Sequence, residues 1–286
     1  MPTTTDLLTD ATPELLWTGA EWTEGPLWLP EERVVRFSDI PNNRIMAWDA
    51  VTGETRVHRD GVEFTNGRTL GLDGRVVQAS HGRRAVESED ATGVVRVLTE
   101  AWSGGRYNSP NDVVVASDGA VWFTDPPYGI QASGREGYPG EQEYGGCFVF
   151  RLDPATGEAT PVITELAHPN GLAFSPDESL LYVTDSDPSS AFGVFVLDIA
   201  AGTTRRFATA TGTTDGIRVD VEGRIWTTSG PAIQVYTPEG ELLQQIDMPE
   251  TTSNLCFGGD DGTELFTTSD SSLYRLRTTT TAAPRP

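Results

Sequence analysis

Cysteine is nearly absent from this chain: Cys147 and Cys256 are the only two in 286 residues. They stand in apolar, strand-like segments (GGCFVF and NLCFGG), too few and too far apart for a disulfide framework or a thiolate zinc site, and read as buried free thiols. Positive charge is also scarce. Twenty Lys and Arg stand against 42 Asp and Glu, a net charge of −22. That balance argues against nucleic acid and anionic membrane as partners, because both require basic patches. No apolar run approaches the length of a membrane span. The start, MPTTTDLLTD, lacks a basic stretch followed by an apolar one, so no signal peptide is read there and a cytoplasmic protein is expected. Motifs of other chemistries are missing too: no GxSxG elbow, no phosphate-binding Walker loop, and no dinucleotide fingerprint between a strand and a helix.

What is present is glycine (30), proline (19) and many short apolar runs, the marks of an all-β chain rich in turns. The runs repeat. Short polar turns, PEER, LDGR, SDGA, PDES, VEGR and DDGT, end at residues 33, 75, 120, 179, 224 and 263, with gaps of 42, 45, 59, 45 and 39. A period near 45 with four short strands per repeat is the signature of a β-propeller, so the spacing predicts a six-bladed one. The sixth repeat stops after SLYRLR and lacks its fourth strand. Residues 13–19 (PELLWTG) occupy the place where other repeats put that strand, so they are expected to complete the last blade and close the ring, which protects sheet edges. One propeller domain over 13–277 is expected, between disordered ends at 1–12 and 278–286.

Nine residues before the end of each turn stand Glu24, Asn66, Asn111, Asn170, Asp215 and Asn254. All six are oxygen donors. At the same register of six blades they converge on the central axis, where carboxylates and amide carbonyls suit a hard divalent cation. No His or Cys occupies the register, which disfavours structural zinc. The long gap of 59 has one cause, the segment PPYGIQASGREGYPGEQEYGG at 126–146, long enough to lie over the donor face as a lid or specificity loop.

In this order and spacing, EGPLW (24–28), SPND (109–112), FTDPPYG (123–129), HPNGLAFSPD (168–177), DGIRVD (215–220) and SNLCFGG (253–259) resemble the senescence marker protein / gluconolactonase / luciferin-regenerating enzyme family, over nearly the whole chain. The resemblance implies a six-bladed propeller holding one divalent metal, with Ca²⁺ favoured over Zn²⁺, Mn²⁺ or Mg²⁺, on Glu24, Asn111, Asn170 and Asp215. It implies hydrolysis of a sugar lactone. Asn66 and Asn254 match the register but not the family's usual ligand set, and are expected either to support the ligands from behind or to face substrate. One departure is Ser109, where some animal members carry a substrate-binding Arg. Ser109, Asp125 and Tyr128 join Asn66 and Asn254 as candidate substrate contacts.

Lactone opening needs a polarised carbonyl, an activated water and a base. Asp215 is the candidate base, or a ligand alone. His81, at the end of a second strand, is a candidate for proton transfer or for a structural hydrogen bond. The recurrent small polar residues at that strand end (Asp39, Ser80, Ser229, Ser269) also fit hydrogen bonding between strands. Two other readings stay open: aryl-ester or organophosphate hydrolysis at the same site, or a non-catalytic propeller whose metal staples the channel and whose rim binds a partner. A monomer or weak dimer acting on a small-molecule lactone is expected.

Overall fold

The computed structural model describes residues 7–283. Strand β1 (Leu8–Thr18) comes first, and then the chain builds its blades in order. Blade one is β2 (Thr23–Leu29), β3 (Val34–Asp39), β4 (Arg44–Asp49) and β5 (Thr55–Asp60). Blade two is β6 (Thr65–Leu70), β7 (Val76–Ser80), β8 (Ala85–Glu89) and β9 (Val95–Thr99). A small hairpin, β10 (Ala101–Trp102) and β11 (Gly105–Arg106), precedes blade three: β12 (Val113–Val115), β13 (Val121–Asp125), β14 (Phe148–Asp153) and β15 (Glu158–Ile163). Blade four is β16 (Pro169–Phe174), β17 (Leu180–Asp185), β18 (Gly193–Asp198) and β19 (Thr203–Thr209). Blade five is β20 (Ile217–Val219), β21 (Ile225–Thr228), β22 (Ala232–Tyr236) and β23 (Leu242–Asp247). Blade six takes β24 (Thr252–Gly258), β25 (Glu264–Ser269) and β26 (Ser272–Thr278) from the C-terminal end and its outer strand, β1, from the N-terminal end. Pairing is antiparallel throughout, and the first strands of neighbouring blades touch around the axis.

The strands read as they do because of what covers them. Every residue of β13 (VWFTD) is buried, since second strands are sandwiched between blades, whereas β5 (TRVHRD) lies on the outside and is mostly open to water. The apolar clusters are seams between blades. Trp28, Val35, Phe37, Met46 and Trp48 of blade one pack with Cys256, Phe266 and Leu273 of blade six, with Trp28 stacked on Phe266 at 5.6 Å between ring centroids. Cys147 and Cys256 are buried free thiols.

Two differences from expectation concern the ends. β1 begins at Leu8, not at residue 13, because Leu7 and Leu8 bury themselves in the seam with Trp226, Leu265 and Leu276. Residues 279–283, expected to be disordered, run back along blade five: Val221 N donates to Thr281 O at 3.0 Å and Ala283 N to Val219 O at 2.9 Å. The rest of both expected disordered ends, 1–6 and 284–286, lies outside the described residues.

Candidate functional site at the channel mouth

The six register residues are set by one device repeated around the ring. The residue at or just after the end of each second strand grips the backbone three positions before the donor. Asp39 accepts from Glu21 N (3.0 Å), Asp125 from Asn108 N (2.7 Å), and Asp185 from Ala167 N (2.9 Å). Ser229 accepts from Gly212 N (2.9 Å), Asp270 accepts from Thr251 N (3.4 Å), and Ser80 donates to Glu63 O (2.9 Å). One residue earlier in three of these strands, a hydroxyl donates to the donor's carbonyl on the next blade: Ser38 to Asn66 O (3.1 Å), Thr124 to Asn170 O (2.7 Å) and Thr184 to Asp215 O (2.5 Å). The polar strand ends are legible in the sequence as hydrogen-bonding positions, but the backbone groups they grip are not, nor are the hydroxyls one residue earlier, although FSD, FTD and VTD at 37–39, 123–125 and 183–185 carry their signal. Glycine follows four of the donors because the first strands crowd at the axis. A Cβ on Gly25 would stand 2.2 Å from Asn66 O, and one on Gly171 would stand 2.4 Å from Asp215 O. β2, β6, β16 and β24 each carry a register irregularity at or beside their donor, so one extra residue turns there.

Five of the donors are buried and Asp215 is half-buried, and their hydrogen bonds leave several of the oxygens free. Glu24 Oε2 accepts from Gly25 N (2.7 Å) and from Asn254 Nδ2 (3.0 Å). Asn254 is therefore a support for Glu24, and its own Oδ1 is engaged by Leu255 N at 2.9 Å, which removes it from substrate. His81 Nδ1 faces Glu136 O at 3.0 Å, and its Nε2 lies 3.3 Å from the Nδ2 atoms of both Asn66 and Asn111. A carbonyl can only accept, so Nδ1 carries the proton and Nε2 accepts from the two amides. The amide oxygens then point away from the imidazole, and Asn66 Oδ1 has no partner. Asn170 Nδ2 donates to Ser186 Oγ (2.9 Å), likewise leaving its Oδ1 without a partner. Asp215 is held through its backbone N–H on Thr228 Oγ1 (2.9 Å), and its Oδ1 is also unpartnered.

Electrostatically the ring is unsatisfied. Burial pushes the Glu24 carboxyl up to about 7. Burial, then the neighbouring Glu24 and Glu136 charges, push Asp215 well above the usual carboxylate range. Burial lowers His81 to about 4, so the ring is neutral near pH 7. Unpartnered, desolvated, acceptor-only oxygens beside two mutually repelling carboxylates are what a hard divalent cation would satisfy. Among the described residues no group of three His, Cys, Asp or Glu could hold a metal, so a cation here must rely on the amide oxygens.

The expected substrate contacts divide. Tyr128, on a 3₁₀ turn at Tyr128–Ile130, is half-buried at the mouth, edge-on to His168 at 5.5 Å, and feels the Asp215 charge. Ser109 and Asp125 do not reach the mouth. Ser109 is wholly buried, with its hydroxyl donating to Pro126 O (2.6 Å) and accepting from Gly129 N (2.9 Å). Asp125 is spent on Asn108 N, Ser109 N (2.8 Å) and the Tyr144 hydroxyl. Both pin the 126–146 loop. That loop is fastened across the ring by Arg84 to Glu143 (3.0 Å), by Arg135 to Glu21 (3.3 Å) and by the Glu136 carbonyl on His81. Below the donors, Arg218 lies 3.6 Å from Asp112, and Arg68 is buried on Gly25 O (2.7 Å). Both also line an apolar cavity of about 400 Å³ that none of the six donors lines.

The family described as "SMP-30/Gluconolactonase/LRE-like region" matches residues 22–271. The chain belongs to this family. A gluconolactonase of Zymomonas mobilis is 33% identical over 93% of this chain and 81% of its own length. A pentonolactonase of Haloferax volcanii is 28% identical over 86% of this chain and 80% of its own. The solved structure of a gluconolactonase from Xanthomonas campestris shares 37% identity at a TM-score of 0.89, covering 95% of this chain and 91% of that one. A calcium-binding regucalcin of Agrobacterium tumefaciens shares the fold at a TM-score of 0.76 and 20% identity, over 99% of this chain and 96% of its own.

Proposed function

We propose that this enzyme opens a sugar-acid lactone with a water activated at the donor ring by one divalent cation, Ca²⁺ being favoured. That it hydrolyses lactones follows from its family and relatives; the cation and the residue roles are our reading. The observation that carries it is the set of unpartnered buried oxygens on Asn66, Asn170 and Asp215 beside the Glu24 carboxylate.

Glu24, Asn111, Asn170 and Asp215 would hold the cation. When bound, it polarises the lactone carbonyl and makes water a better nucleophile at neutral pH. The chain's own residues do the rest. Asp215, held by its backbone with Oδ1 unengaged, accepts the water proton and returns it to the ring oxygen as the ester bond breaks. His81 becomes a positioning residue rather than a proton carrier, because both its nitrogens are engaged and it is fully buried. Its task is to hold the amides of Asn66 and Asn111 oxygen-outward. Tyr128 and Asn66 line the space left for substrate.

The test is proton release by metal-stripped enzyme on glucono-, galactono- and xylono-lactones, with Ca²⁺, Mg²⁺, Mn²⁺ or Zn²⁺ added back. Turnover restored by a cation is expected. Undiminished turnover after stripping would remove the metal from the proposal. Inertness on every lactone, with hydrolysis of aryl esters or phosphotriesters, would move the assignment to those esters.

A further inference from the structure

The loop that covers the site brings in a third carboxylate, which the roles above leave unused. Glu136 sits at the inner edge of the loop. Its backbone carbonyl is fixed by His81 at 3.0 Å, and the next residue, Gly137, packs so tightly that a Cβ there would stand 2.1 Å from Gly129 O. The backbone is therefore held on both sides of the side chain. The carboxylate is half-buried and lies close enough to the mouth for its charge to be felt by Glu24, by Asp215 and by the Tyr128 hydroxyl. Among the described residues it makes no hydrogen bond. The opposing charge acting on it among the described residues is Arg135, which is itself engaged by Glu21. An acidic group beside two others, partly desolvated and with no protein donor on it, favours a ligand that supplies donors.

We infer that Glu136 is a substrate-binding residue that accepts hydrogen bonds from the hydroxyl groups of a polyhydroxylated lactone and so selects sugar lactones over plain ones. The inference rests on the lactonase reading. A carboxylate offers two acceptor oxygens and no donor, which suits neighbouring hydroxyls of a sugar ring. A site whose acceptor is covered when substrate binds discriminates against substrates lacking the hydroxyl, because the acceptor is then left unpaired. The position suits this role: the cation ligands lie below, on the ring, and Glu136 closes the site from above.

The experiment compares Glu136→Ala and Glu136→Gln with the parent enzyme on D-glucono-δ-lactone and on γ-butyrolactone, which has no hydroxyls. Neither substitution touches the backbone carbonyl that His81 needs. The expected result is a fall in kcat/KM of about 10–100-fold on gluconolactone, mostly in KM. The fall is smaller for Gln than for Ala, and rates on γ-butyrolactone stay within about threefold. Parallel losses on both lactones, or no loss on either, would overturn the inference while leaving the lactonase reading intact. So would a tenfold or greater weakening of Ca²⁺ binding measured by calorimetry, which would make Glu136 a ligand. Saturation-transfer NMR with D-glucitol, which cannot be hydrolysed, tests the same contact independently of turnover: a signal lost in Glu136→Ala supports it, and an unchanged signal refutes it.

Discussion

At the residue scale the site is a set of oxygens placed where they are individually unfavourable. Asp215 is the sharpest case, since burial and the Glu24 charge both oppose its ionisation. Asp215→Asn keeps the shape but removes the base and one of two repelling groups. Activity should fall about 10²–10⁴-fold in kcat, while the metal-free protein gains thermal stability, roughly 2–4 °C for each kcal/mol of strain removed. An active Asp215→Asn enzyme in a proton-release assay would rule out its role as base. His81 makes a separate prediction. Lowered to about 4 by burial, it is uncharged across the working range, so the pH–rate profile should show no limb near 6.5 that disappears on substitution. His81→Phe frees the amides of Asn66 and Asn111 to rotate, and cation affinity should drop about 10–100-fold in a calorimetric titration. Loss of a limb with unchanged affinity would restore the acid–base role.

At the scale of elements, the six-fold register was legible because a donor recurs nine residues before each turn end. The side chains beside that register were harder to place. FTDPPYG suggested Asp125 as a substrate contact, yet Asp125 looks away from the mouth and holds the loop. Strand alternation says which face a residue takes, but not that a carboxylate will find two backbone N–H groups on a neighbouring turn. Asn254 shares a register with Asn111, but its neighbour across the seam is Glu24, a contact 230 positions distant in the chain that periodicity cannot see. Asp125→Ala should cost about 2–4 kcal/mol, because it strands two buried N–H donors and a tyrosine hydroxyl. It should also loosen the loop. Arg135 is the loop's lone basic residue, so limited trypsin digestion should cut there faster in the variant; unchanged cleavage together with unchanged melting would show that Asp125 does not fasten the loop. The closing strand is a further case. β1 was legible as the missing fourth strand, but its start at Leu8 was not, because the preceding polar run MPTTTD hides two leucines that complete a seam. Removing residues 1–18 exposes the edge of β26, and size-exclusion chromatography should show aggregation. A monomeric, fully active truncation would contradict closure by β1.

At the scale of the whole molecule, the propeller brings acidic groups together and leaves their repulsion to be relieved by binding. The net charge of −22 gives the molecule an overall field that favours cations over anions, and the ring adds two carboxylates in a desolvated space. This fixes the sign of a pH effect. Glu24 has its folded pKa raised from an ordinary value of 4.5 to about 7, and Asp215 is raised well above its ordinary value by burial and by the Glu24 charge. In the metal-free protein the folded state therefore holds protons that the unfolded chain has already released. Stability is fully present below the unfolded value near 4.5 and is lost as pH rises through about 7. A bound cation removes the cost of ionising the pair, so it competes with those protons and releases them on binding. Melting temperatures measured with and without Ca²⁺ from pH 4.5 to 8 should be nearly equal at the acid end and diverge steadily toward neutrality. Calorimetry in buffers of different ionisation enthalpy should show proton release at pH 6 that shrinks above pH 7. A cation-induced shift in melting temperature that is flat across the range, with no proton release, would mean that the carboxylates are already ionised in the metal-free ring and that the stabilisation comes from elsewhere.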